Sequence, residues 1–248
     1  NDLSFTSGGM SVSCWVNMTT ANKVLVAKGD SGGNAREYKF ALNASKQINV
    51  DLRDEVGGAQ WCGAYTGTTY ASIEGSWNHL AFTYDGSTGA TAHNGITLYL
   101  NGSSVAKGTT YSHADFAGMD NLGEPVTIGT YANTHYLDGS ITEVGMWNEE
   151  LTASEITAIY NSGVPLDLSS NSGNYSSSSN LVGYWRNNGL KTWTDLSSNS
   201  NHGTPNADGS LVLHTESPVT SGTVSGGWFL NDETAVAYGV RFYGDGYI

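Results

Sequence analysis

The residues best suited to chemistry in this sequence are oxygen donors in one stretch and aromatic rings in two others. Asp195-Leu196-Ser197-Ser198-Asn199-Ser200-Asn201 is rich in carboxylate, amide and hydroxyl oxygens. Ca2+ takes roughly six to eight such oxygens, so Asp195, Asn199 and Asn201 form a candidate structural calcium site. The same composition also builds Asx turns, in which Asp195 would hydrogen-bond its own backbone, and that alternative stands beside the first. Trp61, Tyr65 and Tyr70 fall in a Gly/Thr-rich stretch that reads as loop, and Tyr131, His135 and Tyr136 fall in another. Rings exposed on loops could stack on sugar faces while Asn, Asp and backbone groups meet the hydroxyls. For Trp61 packing is the competing reading, because large aromatics are mostly buried.

Catalytic patterns are scarce. Asp51-Leu52-Arg53-Asp54-Glu55 has acids in number but runs into Gly57-Gly58, which reads as a turn. There is no Gly-x-Ser-x-Gly elbow, no His-Glu-x-x-His and no phosphate-cradling glycine loop. His79 alternates with Ala81 and Thr83 on one strand face and reads as a satisfied structural histidine. Asp85-Gly86 reads as a turn rather than a catalytic acid. No enzymatic function is expected.

The elements that must position these residues are strands. Period-two alternation marks 10–18, 38–42, 47–52, 79–84, 96–100, 125–129 and 140–147, separated by Gly, Asn, Asp and Ser clusters. Leu100-Asn101-Gly102-Ser103 is a hairpin signal, since Asn-Gly supplies the two positive-φ residues of a type I′ turn. One short helix is expected near 152–161. Thr152 is its N-cap, Glu155 the capping-box partner and Ile156, Ile159 and Tyr160 the apolar stripe, with Gly163 and Pro165 ending it. Residues 166–180 are polar and read as a surface linker. Strand patterns resume at 181–185, 210–214, 234–237 and 240–243. Trp15, Trp77, Trp147 and Trp185 sit in strand patterns and are expected to pack.

Composition narrows the partners. The 248 residues carry a formal charge of −13, and the 10 Lys and Arg are scattered singly, which excludes a phosphate-neutralising patch and hence nucleic acid. The acidic balance suits cations, neutral glycans or solubility alone. Charged residues are only 13%, so Ser, Thr, Asn and Gly must supply the surface polarity, as in turn-rich β proteins. Nothing reads as a membrane span or a signal peptide. Cys14 shares a strand face with Val12 and Val16 and reads as a small hydrophobe. A bridge to Cys62, in the loop-like Trp61-Cys62-Gly63, stays open.

Ser76-Trp77-Asn78-His79-Leu80-Ala81-Phe82-Thr83-Tyr84-Asp85-Gly86 resembles a characteristic strand of the laminin-G-like, concanavalin A-like lectin-glucanase family. Segments 11–16, 98–102, 126–129 and 137–148, then the helix at 151–160, match that family in order. The resemblance implies an all-β, two-sheet antiparallel jelly-roll sandwich with one short helix. Within 181–248, Leu181–Trp185, Asp195–Thr204 and Arg241–Ile248 look like segments that normally open such a domain. The chain therefore reads as one circularly permuted domain: main sandwich 1–165, linker 166–180, and opening strands 181–248 completing the same sandwich. Strand donation to a neighbouring chain, or the start of a following module, is the alternative.

The family often holds a structural Ca2+ near this loop, which adds Asp245 and Glu143 to the metal set, although Thr142 stands where an Asp often sits. The related glucanases carry Glu-x-Asp-x-x-Glu on one strand, and no such string occurs here. The implied function is a non-catalytic, lectin-like module for a glycan or cell-surface polysaccharide, extracellular or on a virion surface. A looser resemblance to structural proteins of marine bacteriophages adds the alternative of an assembly module, with a homo-oligomer or a larger virion assembly as its partner.

Overall fold

The computed structural model describes residues 3–30, 35–56, 58–131, 135–186 and 194–203, with the strand backbones 212–214 and 239–242. The first run of strands is β1 (Met10–Met18), β2 (Lys23–Lys28), β3 (Tyr38–Leu42), β4 (Ile48–Asp54), β5 (Gln60–Thr66), β6 (Asn78–Tyr84) and β7 (Ile96–Leu100). There follow β8 (Ser103–Val105), β9 (Lys107–Ser112), β10 (Val126–Ile128), β11 (Gly139–Trp147), the helix α1 (Ala153–Tyr160), β12 (Leu181–Trp185), β13 (Val212–His214) and β14 (Gly239–Phe242). One sheet runs β13-β14-β11-β1-β6-β7-β8, with β12 also on β11; the second runs β10-β2-β3-β4-β5-β9. All named pairings are antiparallel. This is the jelly-roll sandwich the resemblance implies.

Alternation decides which side chains meet between the sheets. Met10, Val12, Cys14, Val16 and Met18 of β1 and Leu80, Phe82 and Tyr84 of β6 point inward. They face Tyr38, Phe40 and Leu42 of β3 and Ile48, Val50 and Leu52 of β4, with Phe40 edge-on to Phe82 at 5.2 Å. Both cysteines are free and buried in this core, and burial pushes the Cys62 thiol up to about 11.

The eight-stranded sheet is covered on its outer side as well, which explains why β1, β6 and β11 are buried at nearly every position. Its cover is α1 and the segment after it. Ile156, Ile159, Leu168 and Tyr175 pack on Ala81, Tyr99, Trp147 and Tyr184. Residues 166–180 are thus more than a linker: Leu168 and Tyr175 are buried, and the Tyr175 hydroxyl donates to the Leu168 carbonyl while accepting from the Trp147 indole. The capping box at Thr152 and Glu155 forms as expected, but the helix stops at Asn161, left-handed at φ 47, ahead of Gly163. Asn101 and Gly102 take φ 50 and 76 between β7 and β8, the predicted turn.

His79 departs from expectation. It is buried under this cover between Trp15 (5.5 Å) and Tyr160 (6.1 Å), and neither ring nitrogen has a hydrogen-bond partner among the described residues. The strand face was legible, but the aromatic cover that removes water from the imidazole comes from α1, far along the chain.

β12 and β14 lie end to end along β11, β12 at Val144–Trp147 and β14 at Gly139–Ile141. The described strands of the tail therefore extend the sheet built by the first 165 residues. Residues 234–237 lie outside the described residues.

Candidate functional site

Among the described residues nothing covers the outer face of the six-stranded sheet in this way, and its outward residues form ordered rows. Across β3, β4, β5 and β9 one row reads Lys39, Asp51, Gly63, Tyr111, and the next reads Ala41, Asn49, Tyr65, Thr109. Above them Arg53 sits opposite Trp61, whose carbonyl accepts from the His113 backbone N–H. Lys39 pairs with Asp51 at 2.7 Å, and the Tyr111 hydroxyl donates to the same carboxylate. The Arg53 guanidinium lies 5.6 Å from the centre of the Trp61 ring, and Tyr65 stands edge-on to Tyr111 at 5.9 Å.

Gly63 makes this arrangement possible. A Cβ there would lie 2.4 Å from the Tyr111 hydroxyl oxygen and 2.5 Å from the Val50 carbonyl oxygen, so only glycine lets the ring lie across β5 toward Asp51.

Tyr131 closes the face on the β2 side. It packs on Val24, Ala27 and Ala41, its hydroxyl donates to the Asp30 carbonyl, and Lys39 Nζ is 5.9 Å from its ring. Two adjoining depressions result, of roughly 160 and 200 Å3. One is walled by Arg36, Tyr38, Lys39, Asp51, Arg53 and Tyr131; the other adds Asn49, Tyr65 and His135 to Lys39 and Tyr131. They are smaller and more open than the ~300–1,000 Å3 pockets that enclose small molecules, and suit a ligand lying across the surface. Burial raises the phenols of Tyr65 and Tyr131, so both remain protonated donors.

Of the six aromatic and imidazole residues expected to bind ligand, Tyr65, Tyr131 and His135 line the second depression, and Trp61, 41% exposed, flanks the first through Arg53. Tyr70 lies apart, partly buried against the core before a short 3-10 turn. Tyr136 is partly buried and lines neither depression. Trp61, Cys62 and Tyr65 belong to a strand rather than a loop, because Gln60, Cys62, Ala64 and Thr66 alternate inward. Lys39, Asn49, Asp51, Arg53 and Tyr111 were missed. Reading 60–66 as a strand would have placed Asn49, Asp51, Arg53 and Tyr111, its neighbours on β4 and β9, and through Asp51 the Lys39 of β3.

The proposed metal loop closes on itself. The Asp195 carboxylate is 4% exposed and accepts four hydrogen bonds: Tyr184 N–H (2.8 Å), Ser197 N–H (2.9 Å), the Ser197 hydroxyl (2.7 Å) and Asn201 N–H (2.8 Å). Asn199 and Asn201 donate their amides to the Val182 carbonyl. Donor hydrogens converge where a cation would have to sit, so these residues as folded do not fit calcium. This is the Asx-turn alternative.

Glu143 is not turned to that loop. It sits at φ 51 in a bulge of β11 opposite Cys14, which aims its carboxylate at Arg186 (2.9 Å) and the Tyr184 hydroxyl. Burial pushes the Glu143 carboxyl up to about 7, against the opposing pull of Arg186. Asp245 lies outside the described residues. Among the described residues no three His, Cys, Asp or Glu side chains gather in a metal-holding group.

A laminin-G family model, described as the concanavalin A-like lectin/glucanases superfamily, matches residues 1–157. The chain belongs to this superfamily. No curated protein matches it in sequence. In structure, this concanavalin A-like chain is similar to a Bacteroides ovatus protein named as a candidate carbohydrate-binding protein, with a TM-score of 0.54 and 16% identity over 81% of this chain. It spans about half of that protein, 52%. It is also similar to the CBM40 of a Ruminococcus gnavus IT-sialidase bound to α2,3-sialyllactose, with a TM-score of 0.43, 13% identity, and 62% and 84% of the two chains covered. A heptameric SAP-like pentraxin from Limulus polyphemus gives a TM-score of 0.42 and 14% identity, covering 62% and 70%. At these identities the likeness is one of fold.

Proposed function

We propose that the chain is a non-catalytic carbohydrate-binding module that lays a glycan across the outer face of its six-stranded sheet. The observation carrying this reading is the row structure of that face. Trp61, Tyr65, Tyr111 and Tyr131 supply ring surfaces, and Lys39, Asn49, Asp51 and Arg53 stand between them as polar partners. Sugars present apolar faces and hydroxyl edges at once, and an amphipathic floor of this kind meets both.

Hydrolysis has no support there. Cleaving a glycosidic bond takes two carboxyl groups about 5–10 Å apart, whereas Asp51 is the one carboxylate among the described residues walling the depressions. The assembly reading is weaker for a related reason: β14, the strand it would lend to a neighbour, pairs with β11 of its own chain. Display outside the cell or on a virion agrees with a glycan partner and forms part of the proposal. Among the described residues no helix is long and apolar enough to cross a membrane.

A glycan array identifies binders, and Trp61→Ala and Tyr65→Ala then test the face. Each is expected to weaken the best binder about ten-fold, the effect of losing a central aromatic anchor. An array with no binder, or two variants that bind like the parent, overturns the reading.

A further inference from the structure

We infer that the glycan laid on this face is an anionic polysaccharide, bearing carboxylate or sulfate groups; the inference rests on the glycan-binding reading and adds charge to it. The whole chain is strongly acidic, with 23 Asp and Glu against 10 Lys and Arg. Around the two depressions the balance reverses. Among the described residues Lys23, Arg36, Lys39 and Arg53 wall them, four of the chain's ten cations, against Asp51 alone of the acids. Two further acids stand close. Glu55 is 1% exposed and paired with Arg36, and Asp30 lies near Arg36 and Tyr131. Asp51 is engaged by Lys39 and by the Tyr111 hydroxyl. Arg53 and Lys23 make no ion pair with any described residue.

Arg53 has the geometry for an anion. Its guanidinium carbon lies over the Trp61 ring, 5.6 Å from the ring centre, and with no ion pair to a described residue its N–H groups can fork onto a carboxylate or sulfate. The distant acidic surface does not cancel this, because at physiological salt charges more than about 8 Å apart through solvent are largely screened. A neutral glycan gains little from unpaired cations, which it would have to desolvate without compensation. From β2 to β5 the face spans three strand spacings, about 14 Å, more than a single sugar ring. The occupant is therefore a stretch of polymer.

The test compares polymers that share a backbone and differ in charge: free against fully methyl-esterified polygalacturonate, and dextran sulfate against dextran. Titration calorimetry on the full chain is run at low and at physiological salt, with the parent, Arg53→Gln, Lys39→Gln and Trp61→Ala. The expected result is binding of at least one charged polymer about ten-fold tighter than its neutral twin. Salt should weaken it, and Arg53→Gln should bring the two within about two-fold. Trp61→Ala should weaken both twins, with circular dichroism showing each variant folded. The charged pair that binds tells carboxylate from sulfate. Equal affinity for the twins, or an unchanged preference in Arg53→Gln, overturns the anionic assignment and leaves the glycan-binding face standing. No binding to any of the four polymers overturns the anionic assignment, and an empty glycan array besides overturns the face itself.

Discussion

His79 supplies the sharpest stability prediction. Buried between Trp15 and Tyr160 with no hydrogen bond from a described residue to either ring nitrogen, its imidazole is pushed down from 6.5 to about 3, and burial is the cause. The unfolded chain takes up a proton near pH 6.5, while the folded chain refuses it until about pH 3. Between those values the unfolded state binds more protons, so stability is full above pH 6.5 and falls as the pH drops. From pH 6.5 to 5 the loss is 1.5 pH units, or about 2 kcal/mol. Glu143 acts in the opposite sense. With its carboxyl raised from 4.5 to about 7, the folded state keeps a proton that the unfolded state releases, and stability falls as the pH rises through that window. The parent should therefore show little net pH dependence from these two groups between pH 4.5 and 6.5. Replacing His79 with Leu removes one side of the balance. Urea unfolding of the parent and His79→Leu at pH 7 and pH 5 isolates it. The pH-dependent change in stability should differ between the two proteins by about 2 kcal/mol, with His79→Leu gaining on acidification. If the two proteins respond identically to pH, the imidazole is hydrated or hydrogen-bonded in solution and the argument from burial fails.

Two further outcomes follow from the same geometry. Gly63→Ala places a methyl group 2.4 Å from the Tyr111 hydroxyl oxygen and 2.5 Å from the Val50 carbonyl, which should cost about 1–3 kcal/mol in urea unfolding and weaken glycan binding; unchanged stability and affinity would show that Tyr111 does not lie over β5. Excess CaCl2 and EDTA should give the same Tm, since Asp195 already accepts four donors. A rise of several degrees with calcium, the size expected for a saturated site, would restore Asp195 as a ligand.

Much of the fold was legible because alternation survives burial: Met10 to Met18 points every second residue inward whatever covers the other side. The helix was legible for a local reason, the Thr152–Glu155 box. What failed was long-range. Trp61-Cys62-Gly63 looks like loop because glycine and threonine surround it, yet Gly63 is there to admit a ring from β9, nearly fifty residues on. Leu168 and Tyr175 look like isolated apolar residues in a polar linker until Trp147 and Tyr184 give them a surface. Of the six residues expected to bind ligand, four fall together at the candidate face, and Lys39, Asp51 and Arg53 beside them were not singled out because charged residues on a strand announce no function without their neighbours.

The two outer faces explain each other. A sheet face of Trp15, Ala81, Tyr99, Trp147 and Tyr184 is too apolar to leave in water, and α1 with the segment after it covers that face at the cost of burying His79 and Glu143. The opposite face could have been treated in the same way, since Tyr65, Tyr111, Trp61 and Tyr131 offer comparable ring surface. Instead its rings are separated by Lys39, Asn49, Asp51 and Arg53, which keep it wet enough to stay open. Stability alone would favour a plainer polar surface, with fewer rings and without a guanidinium over an indole that makes no ion pair among the described residues. An ordered mixture of rings and charges of this kind is the surface that the proposed glycan would meet.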